Sequence, residues 1–356
     1  MKNILFNVYT EYQLSLTLNE IFINKVYDLS THKITLVIKH EKLHKRMDRP
    51  FDFDGLGLDI IHFNDDIHFK QALSAPTKEL VNSLLSKNWD CFIIFQENDP
   101  LNCLLSYQLN KKGTEVRLYQ DGLKAYNPMK SRSYGQLKME LEMRIWWKKN
   151  GYKADPLVNA INAYRYAFLK GVSKVYVTFP EKYKNWNKKV LRKIEIEKST
   201  QLFELMNKVF KLDRFILKEV EGTVFFISQS MRDDNTFEKL MIDYLLKSFP
   251  DKKIYLKSHP INYKPYRDFI DEVKVKFVDK VEVIDGQVPA EFLIMQLKNS
   301  VVVSTISTSM FINNPDCNFY YTFEIAKPYM PRFDRYDTVN PTPHVKSIVS
   351  FEEILF

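Results

Sequence analysis

Glycine is scarce in this chain, with nine in 356 residues. A Gly-rich loop as the main phosphate-binding device needs several close together, so that class of nucleotide site is excluded. Three cysteines, Cys91, Cys103 and Cys317, are too few for a disulfide framework or a four-cysteine zinc site. No run approaches the roughly 18 uninterrupted apolar residues of a membrane span. The opening Met1–Tyr9 holds too short an apolar run for a secretory signal. The expectation is a soluble, cytoplasmic protein, with peripheral contact at the inner face of the cytoplasmic membrane as an option.

Aromatic and charged residues are plentiful, at 14% and 27%, and the formal net charge is +8. Two segments hold the excess. Residues 129–153 contain seven Lys/Arg against two Glu, and residues 182–218 contain eleven against four acids. Together they exceed the net charge, so the remainder of the chain is slightly acidic. The first segment mixes Leu137, Leu141, Met143, Ile145, Trp146 and Trp147 with Lys138, Arg144, Lys148 and Lys149. Such a mixture suits an interfacial helix on anionic lipid. It equally suits a helix with its apolar side on the core and its lysines in water. Nucleic acid is not expected as a partner, because no recognisable binding module accompanies the charge.

Short β-rich runs alternate with helical patterns. Asn3–Tyr9, Ile34–Ile38, Leu58–Phe63, Asp90–Phe95 and Val116–Tyr119 read as strands. Helical spacing marks Tyr12–Val26, Thr77–Ser86 and Pro100–Leu109. A second series follows Gly222: strands at Thr223–Ser228, Lys253–Lys257, Val281–Ile284, Ser300–Ser304 and Asn318–Tyr321. A helix to Ser248 would be capped by Asp234 or Asn235. Alternation of this kind implies βαβ units and parallel sheets. The expected fold is α/β of GT-B type, with two Rossmann-like domains facing across a cleft. Residues 1–180 would form the first domain, residues 181–222 a basic linker or helix, and residues 223–356 the second domain.

Ligands in such sheets bind beyond the carboxyl ends of the strands. The polar residues there are Thr10, Glu11, Tyr12 and Gln13, then Gln120, Asp121 and Gly122, and, in the second series, Ser228 and Gln229. After the strand at Lys257 comes Ser258-His259-Pro260, and after Ser304 comes Thr305-Ile306-Ser307-Thr308-Ser309. Asp121 is a general-base candidate, exposed by a turn at Gly122; Asp-Gly is also an ordinary turn signal. His259, at a strand end closed by Pro260, can donate to a leaving phosphate or simply bond its loop. Lys257 adds positive charge if it reaches the same place. Five hydroxyls within Ser304–Ser309 suggest an anion site at the start of a helix beginning at Met310. One serine would suffice for a plain cap. His32, His40 and His44 lack carboxylate partners at metal spacing, so no metal is expected. Asp65-Asp66 and Asp233-Asp234 read as loop or cap acids.

Gln120-Asp121-Gly122, His259-Pro260 and Ser307-Thr308-Ser309 together resemble the acidic-Gly, His-Pro and Ser-Ser/Thr motifs of bacterial sialyltransferases. These include the lipooligosaccharide sialyltransferases of glycosyltransferase family 52 and the bacterial polysialyltransferases. Tyr9–Leu14 resembles the first strand–loop–helix of such enzymes, and Phe226–Gln229 the first strand of their nucleotide domain. One departure is Gln120, which replaces the first acid of the motif. The resemblance implies a metal-independent, inverting transfer of sialic acid from CMP-sialic acid, with no other cofactor. Asp121 would be the base and His259 the group assisting CMP. Ser228, Gln229, Lys257, Pro260, Ser307, Thr308 and Ser309 would bind donor. Glu11, Tyr12, Gln13, Gln120 and Gly122 would meet the acceptor. That acceptor would be a terminal galactose or similar sugar of a bacterial lipopolysaccharide, O-antigen or capsule, and lipid-linked. Segments 129–153 and 182–218 would then touch the membrane. Polyol-phosphate transferases using a CDP-glycerol-type donor also carry a His-Pro and a Ser-rich phosphate site. A non-catalytic sugar- or nucleotide-binding relative is the third reading.

Overall fold

The computed structural model describes residues 1–40, 47, 49–64, 72–97, 99–127, 134–153, 166, 167, 169, 171–184, 188–229, 235–261, 263–330, 333 and 339–356. They form two compact units. The first comprises Met1–Lys42, Phe53–Glu195 and Arg335–Val339, and the second Leu43–Asp52, Ile196–Asp334 and Asn340–Phe356.

In the first unit the chain runs β1 (Lys2–Val8), α1 (Glu11–Leu18), β2 (His32–Lys39), β3 (Asp59–Phe63), α2 (Ala75–Ser86), β4 (Cys91–Ile94), α3 (Pro100–Lys111), β5 (Glu115–Tyr119), α4 (Tyr134–Lys149), β6 (Val172–Val177) and β7 (Val190–Lys193). The strands pair in parallel in the order β3-β2-β1-β4-β5-β6-β7. Central strands are apolar on both faces; all four residues of β4, Cys-Phe-Ile-Ile, are buried. Burial on both sides is what a parallel sheet covered by helices demands. Edge strand β7, Val-Leu-Arg-Lys, has no buried residue and carries its charge outward. Helix starts follow capping chemistry. Thr10, Ser74 and Asp99 precede α1, α2 and α3, each accepting a backbone N–H with its side chain.

The second unit repeats the plan. After α5 (Thr200–Phe210) come β8 (Val224–Ile227), α6 (Thr236–Ser248), β9 (Ile254–Lys257), α7 (Lys264–Lys276), β10 (Val281–Ile284), α8 (Ala290–Ile294), β11 (Ser300–Ser304), β12 (Cys317–Tyr321), α9 (Phe323–Ala326) and β13 (Val345–Ser347). Their order, β10-β9-β8-β11-β12-β13, is again parallel throughout. Both orders are of the 3-2-1-4-5-6 kind. Each sheet therefore has a switch point, between β1 and β4 and between β8 and β11, where a ligand crevice opens at the strand ends. Both units are Rossmann-like, and the architecture is GT-B.

Several local expectations change. The helix expected over Tyr12–Val26 is α1 to Leu18 followed by one wider π turn, Asn19–Ile23. Residues 181–222 divide between the units, since β7 pairs with β6 while α5 belongs to the second unit. Asn235 precedes α6 without a side-chain capping bond, and Asp233, Asp234, Asp65, Asp66 and His44 lie outside the described residues. In α4 the tryptophans face inward: Trp146 is 0% and Trp147 1% exposed, whereas Leu141 and Ile145 are 60% and 56% exposed. The aromatic residues expected at a membrane interface are therefore core residues, and Tyr107 stacks against Trp147. Lys138, Lys148 and Lys149 are exposed with Leu141 and Ile145. Residues 128–133 and the side chain of Leu137 lie outside the described residues. Among the described residues no helix is long and apolar enough to cross a membrane.

Candidate active site

At the first switch point the carboxylate of Asp121 follows β5 and stands directly before Gly122. That glycine has φ +76°, the left-handed region where a side chain is strained. It turns the chain into a short 3₁₀ segment, Gly122–Ala125. Two amide side chains hold Asp121. Gln13 Nε2, from the first turn of α1, donates to Oδ1 at 3.0 Å, and Gln96 Nε2, just past β4, donates to Oδ2 at 2.7 Å. Gln13 is itself fixed, because its Oε1 accepts the Tyr9 amide at 2.8 Å. The ends of β1, β4 and β5 thus converge on one carboxylate. Each oxygen accepts one of these bonds and keeps a further lone pair for a substrate hydroxyl. Gln96 escaped the sequence reading, although it is a polar residue beyond a strand end like the others.

Gln120 is in the interior, with 0% exposure. Its Nε2 donates to Tyr12 Oη at 3.0 Å and to Thr178 Oγ1. Its Oε1 accepts from Tyr126 Oη at 2.7 Å and from the Thr178 amide at 2.8 Å. Two donors and two acceptor positions are all used, which is the full capacity of an amide. Gln120 therefore ties β5 to β6 and to Tyr12, and its side-chain amide has no bonding capacity left for an acceptor sugar. A carboxylate in its place could not donate to Tyr12 or Thr178, and it would bury a charge. Glu11 is the first residue of α1 and nearly buried, and Tyr12 is half-buried beside it.

In the second unit, β9 ends at Lys257 and His259 follows. The Ile261 amide donates to His259 Nδ1 at 3.0 Å. The same nitrogen lies 3.3 Å from the Ile261 carbonyl, but a hydrogen on it would meet the amide hydrogen across 3.0 Å, so the geometry favours a neutral imidazole with its proton on Nε2. The His259 amide donates to Tyr266 Oη at 2.9 Å. Lys257 is buried; its ammonium donates to the carbonyls of Ser258 and Gly286, at 2.8 and 2.9 Å. Ser228 is buried too, bonded to Tyr266 Oη and, at 3.2 Å, to the Lys257 carbonyl. Ser228 and Lys257 thus contact the frame around His259. Pro260 lies in the same turn, where a Cβ on Gly286 would come within 2.8 Å of its Cα. Neither Tyr266 nor Gly286 carried a sequence signal, because their roles depend on α7 and on the loop after β10.

Past β11, Ser307 caps a 3₁₀ turn, Thr308–Phe311, rather than opening a helix. Its hydroxyl accepts the Ser309 amide at 3.2 Å, and its carbonyl accepts from Tyr321 Oη at 2.7 Å. A single four-residue turn has little macrodipole, so any anion affinity here rests on hydroxyls and amides. Gln229 Nε2 donates to the Ile306 carbonyl at 3.0 Å, joining the ends of β8 and β11 across the switch point. Thr305 Oγ1 is buried there without a hydrogen-bond partner.

Among the described residues the histidines outside this site form no metal cluster. His40 Nε2 and His62 Nδ1 share one bond of 2.8 Å, and His32 bonds Thr31 and the Asp28 carbonyl. Asp52-Phe53-Asp54 has two acids at alternate positions. Asp52 lines a cavity of about 520 Å³ with Lys208 and Lys211, and its amide donates to Val209. Among the described residues no group of three or more His, Cys, Asp or Glu could hold a metal ion.

The fold resembles solved structures of two kinds. A UDP-GlcNAc 2-epimerase from Methanocaldococcus jannaschii is 13% identical, with 97% of this chain and 88% of the other covered and a TM-score of 0.52. A sialyltransferase from Photobacterium damsela is 12% identical, with 90% and 74% covered and a TM-score of 0.50. These likenesses bear on the fold alone. No curated protein sequence matches the chain. The family model for alpha-2,8-polysialyltransferase (POLYST) matches residues 76–315, a span that contains Asp121, His259 and Ser307–Ser309. The chain therefore belongs to the alpha-2,8-polysialyltransferase family, a family of glycosyltransferases.

Proposed function

We propose that the protein is an inverting, metal-independent sialyltransferase that uses CMP-sialic acid. The observation that carries this reading is the Asp121 carboxylate, oriented through both oxygens by Gln13 and Gln96 at the end of β5. A carboxylate so held is a base of fixed direction rather than a turn residue bonded to its own backbone. Asp121 takes the proton of the attacking acceptor hydroxyl. The acceptor oxygen bonds to C2 of the donor as the bond from C2 to the CMP phosphate oxygen breaks. His259, with its proton on Nε2, donates to that phosphate as charge develops on it. Ser307, Thr308 and Ser309, together with Gln229, border the donor phosphate. Attack and departure on opposite faces of the sugar give inversion.

The acceptor is a terminal galactose or similar sugar on a bacterial surface glycan, made at the inner face of the cytoplasmic membrane. A second reading, in which the acceptor hydroxyl belongs to another sialic acid, is favoured by the family model. The exposed Leu141 and Ile145, flanked by Lys138, Lys148 and Lys149, form the part of the basic segment suited to anionic lipid.

Incubation with CMP-sialic acid, CDP-glycerol and UDP-sugars, each with galactose- and sialic-acid-terminated acceptors and EDTA, tests the reading. Transfer is expected from CMP-sialic acid alone. Use of a UDP-sugar only, or dependence on added metal, would sink it. Transfer from CDP-glycerol would favour the polyol-phosphate alternative, and no transfer at all the non-catalytic one.

A further inference from the structure

His259 can assist a leaving phosphate only if its ring keeps the proton on the nitrogen away from its own backbone. Three features of the second unit bear on that. The first is a chain of hydroxyls. The His259 amide donates to Tyr266 Oη, Tyr266 bonds Ser228 Oγ, and Ser228 Oγ donates to the Lys257 carbonyl. Run in that direction, each hydroxyl gives one hydrogen and accepts one, so the chain is satisfied without water. Tyr266 is wholly buried, and burial pushes its hydroxyl well above the ordinary tyrosine range. It stays a neutral O–H at any working pH.

The second feature is Gly286. A Cβ placed on it would stand 2.6 Å from the His259 carbonyl oxygen and 2.8 Å from Pro260 Cα. The backbone of the loop after β10 therefore lies directly against the His-Pro turn, in space that a side chain cannot share. The third is Lys257, whose ammonium joins the Ser258 and Gly286 carbonyls and locks those two backbones together. Bonded to Tyr266 at the His259 amide and packed on Gly286 at the His259 carbonyl, the turn places the Ile261 amide on His259 Nδ1.

We propose that Tyr266 is a positioning residue for His259: its hydroxyl, bonded to the His259 amide, holds the Ser258–Ile261 turn in the one conformation that keeps the imidazole as its Nε2–H tautomer. Tyr266 is wholly buried, so its effect runs through His259. The catalytic use of that tautomer rests on the sialyl-transfer reading; the tautomer itself does not.

The test uses the full chain labelled with ¹⁵N-histidine. The His259 ring is identified by loss of its signals in His259→Asn, and long-range ¹H–¹⁵N spectra give its tautomer. In the wild type, Nδ1 is expected bare and Nε2 protonated. In Tyr266→Phe the freed turn lets both tautomers exchange. Transfer should fall about 10-fold in kcat, with donor KM within about 3-fold, as misplacement of a catalytic group predicts. An Nδ1–H tautomer in the wild type overturns the proposal. So does a Tyr266→Phe protein that keeps both the wild-type tautomer and kcat. If Tyr266→Phe does not fold, Ser228→Ala removes only the second hydroxyl of the chain, and a shift toward the Nδ1–H tautomer is expected there too; its absence also overturns the proposal. If the tautomer responds as stated while His259→Ala retains full transfer, the positioning stands and the transfer reading fails.

Discussion

The two candidate catalytic groups are held by different means. Asp121 is gripped by side chains: Gln13 and Gln96 reach it from the ends of two other strands. His259 is gripped through its own backbone and turn: the Ile261 amide meets its ring, its own amide bonds the Tyr266 hydroxyl, and Gly286 lies against its carbonyl. A carboxylate has two equivalent oxygens, so two amide donors can define its direction and removing one leaves the other. An imidazole must be fixed in tautomer as well as direction. A turn that closes on its own ring does both, but it fails as a whole when the backbone moves. The first region should therefore lose function in steps and the second abruptly.

The largest effects test the roles themselves. Asp121→Asn and His259→Ala are each expected to lower transfer by about 10²-fold or more, measured as kcat with CMP-sialic acid. Asp121→Asn at near-normal rate would remove it as the base. Next is Gly286→Ala, where a methyl must displace the His-Pro turn. A drop in kcat of about 10-fold or more is expected, with a fall in Tm. Wild-type kcat in that variant would show the backbone grip to be unimportant. Smaller steps are expected from Gln13→Ala and Gln96→Ala, at about 3- to 10-fold in kcat each, with the double variant approaching Asp121→Asn. A single variant as damaging as Asp121→Asn would break the contrast between the regions.

The smallest effect concerns stability behind the first region. Glu20, in the π turn after α1, is buried, and burial pushes its carboxyl up to about 7 against the donors Asn24 and Tyr119. A folded-state value above the unfolded one means that stability is full below the unfolded value and falls as pH rises toward 7. Glu20→Gln should be neutral near pH 5 and should stabilise by up to about 3 kcal/mol at pH 8. Urea unfolding at the two pH values measures it; equal effects at both would refute the assignment.

Much of the site was legible in the sequence because strand ends are local. Asp121, His259 and Ser307 could each be placed from a short apolar run and the polar residues after it. What could not be read was which of these groups face a ligand. Gln120 and Asp121 are adjacent, yet one is saturated inside and the other stands at the sheet end. Adjacent residues leave a strand on opposite faces, and only the neighbouring strand β6, with Thr178 beyond its end, decides what each face meets. Trp146 and Trp147 show the same limit. Periodicity marked a two-sided helix, but the identity of its inner side needed α3 and Tyr107.

The sequence by itself determined the alternation of strands and helices, the parallel class of both sheets, the scarcity of glycine and the polar strand ends. Those follow from nearest-neighbour chemistry and apolar periodicity. Tertiary structure alone decided the partners. Gln13 lies 108 residues from Asp121, and the loop holding Gly286 is bonded to a lysine 29 residues before it. Contacts at such separations are set by strand order, and strand order is a property of the whole sheet.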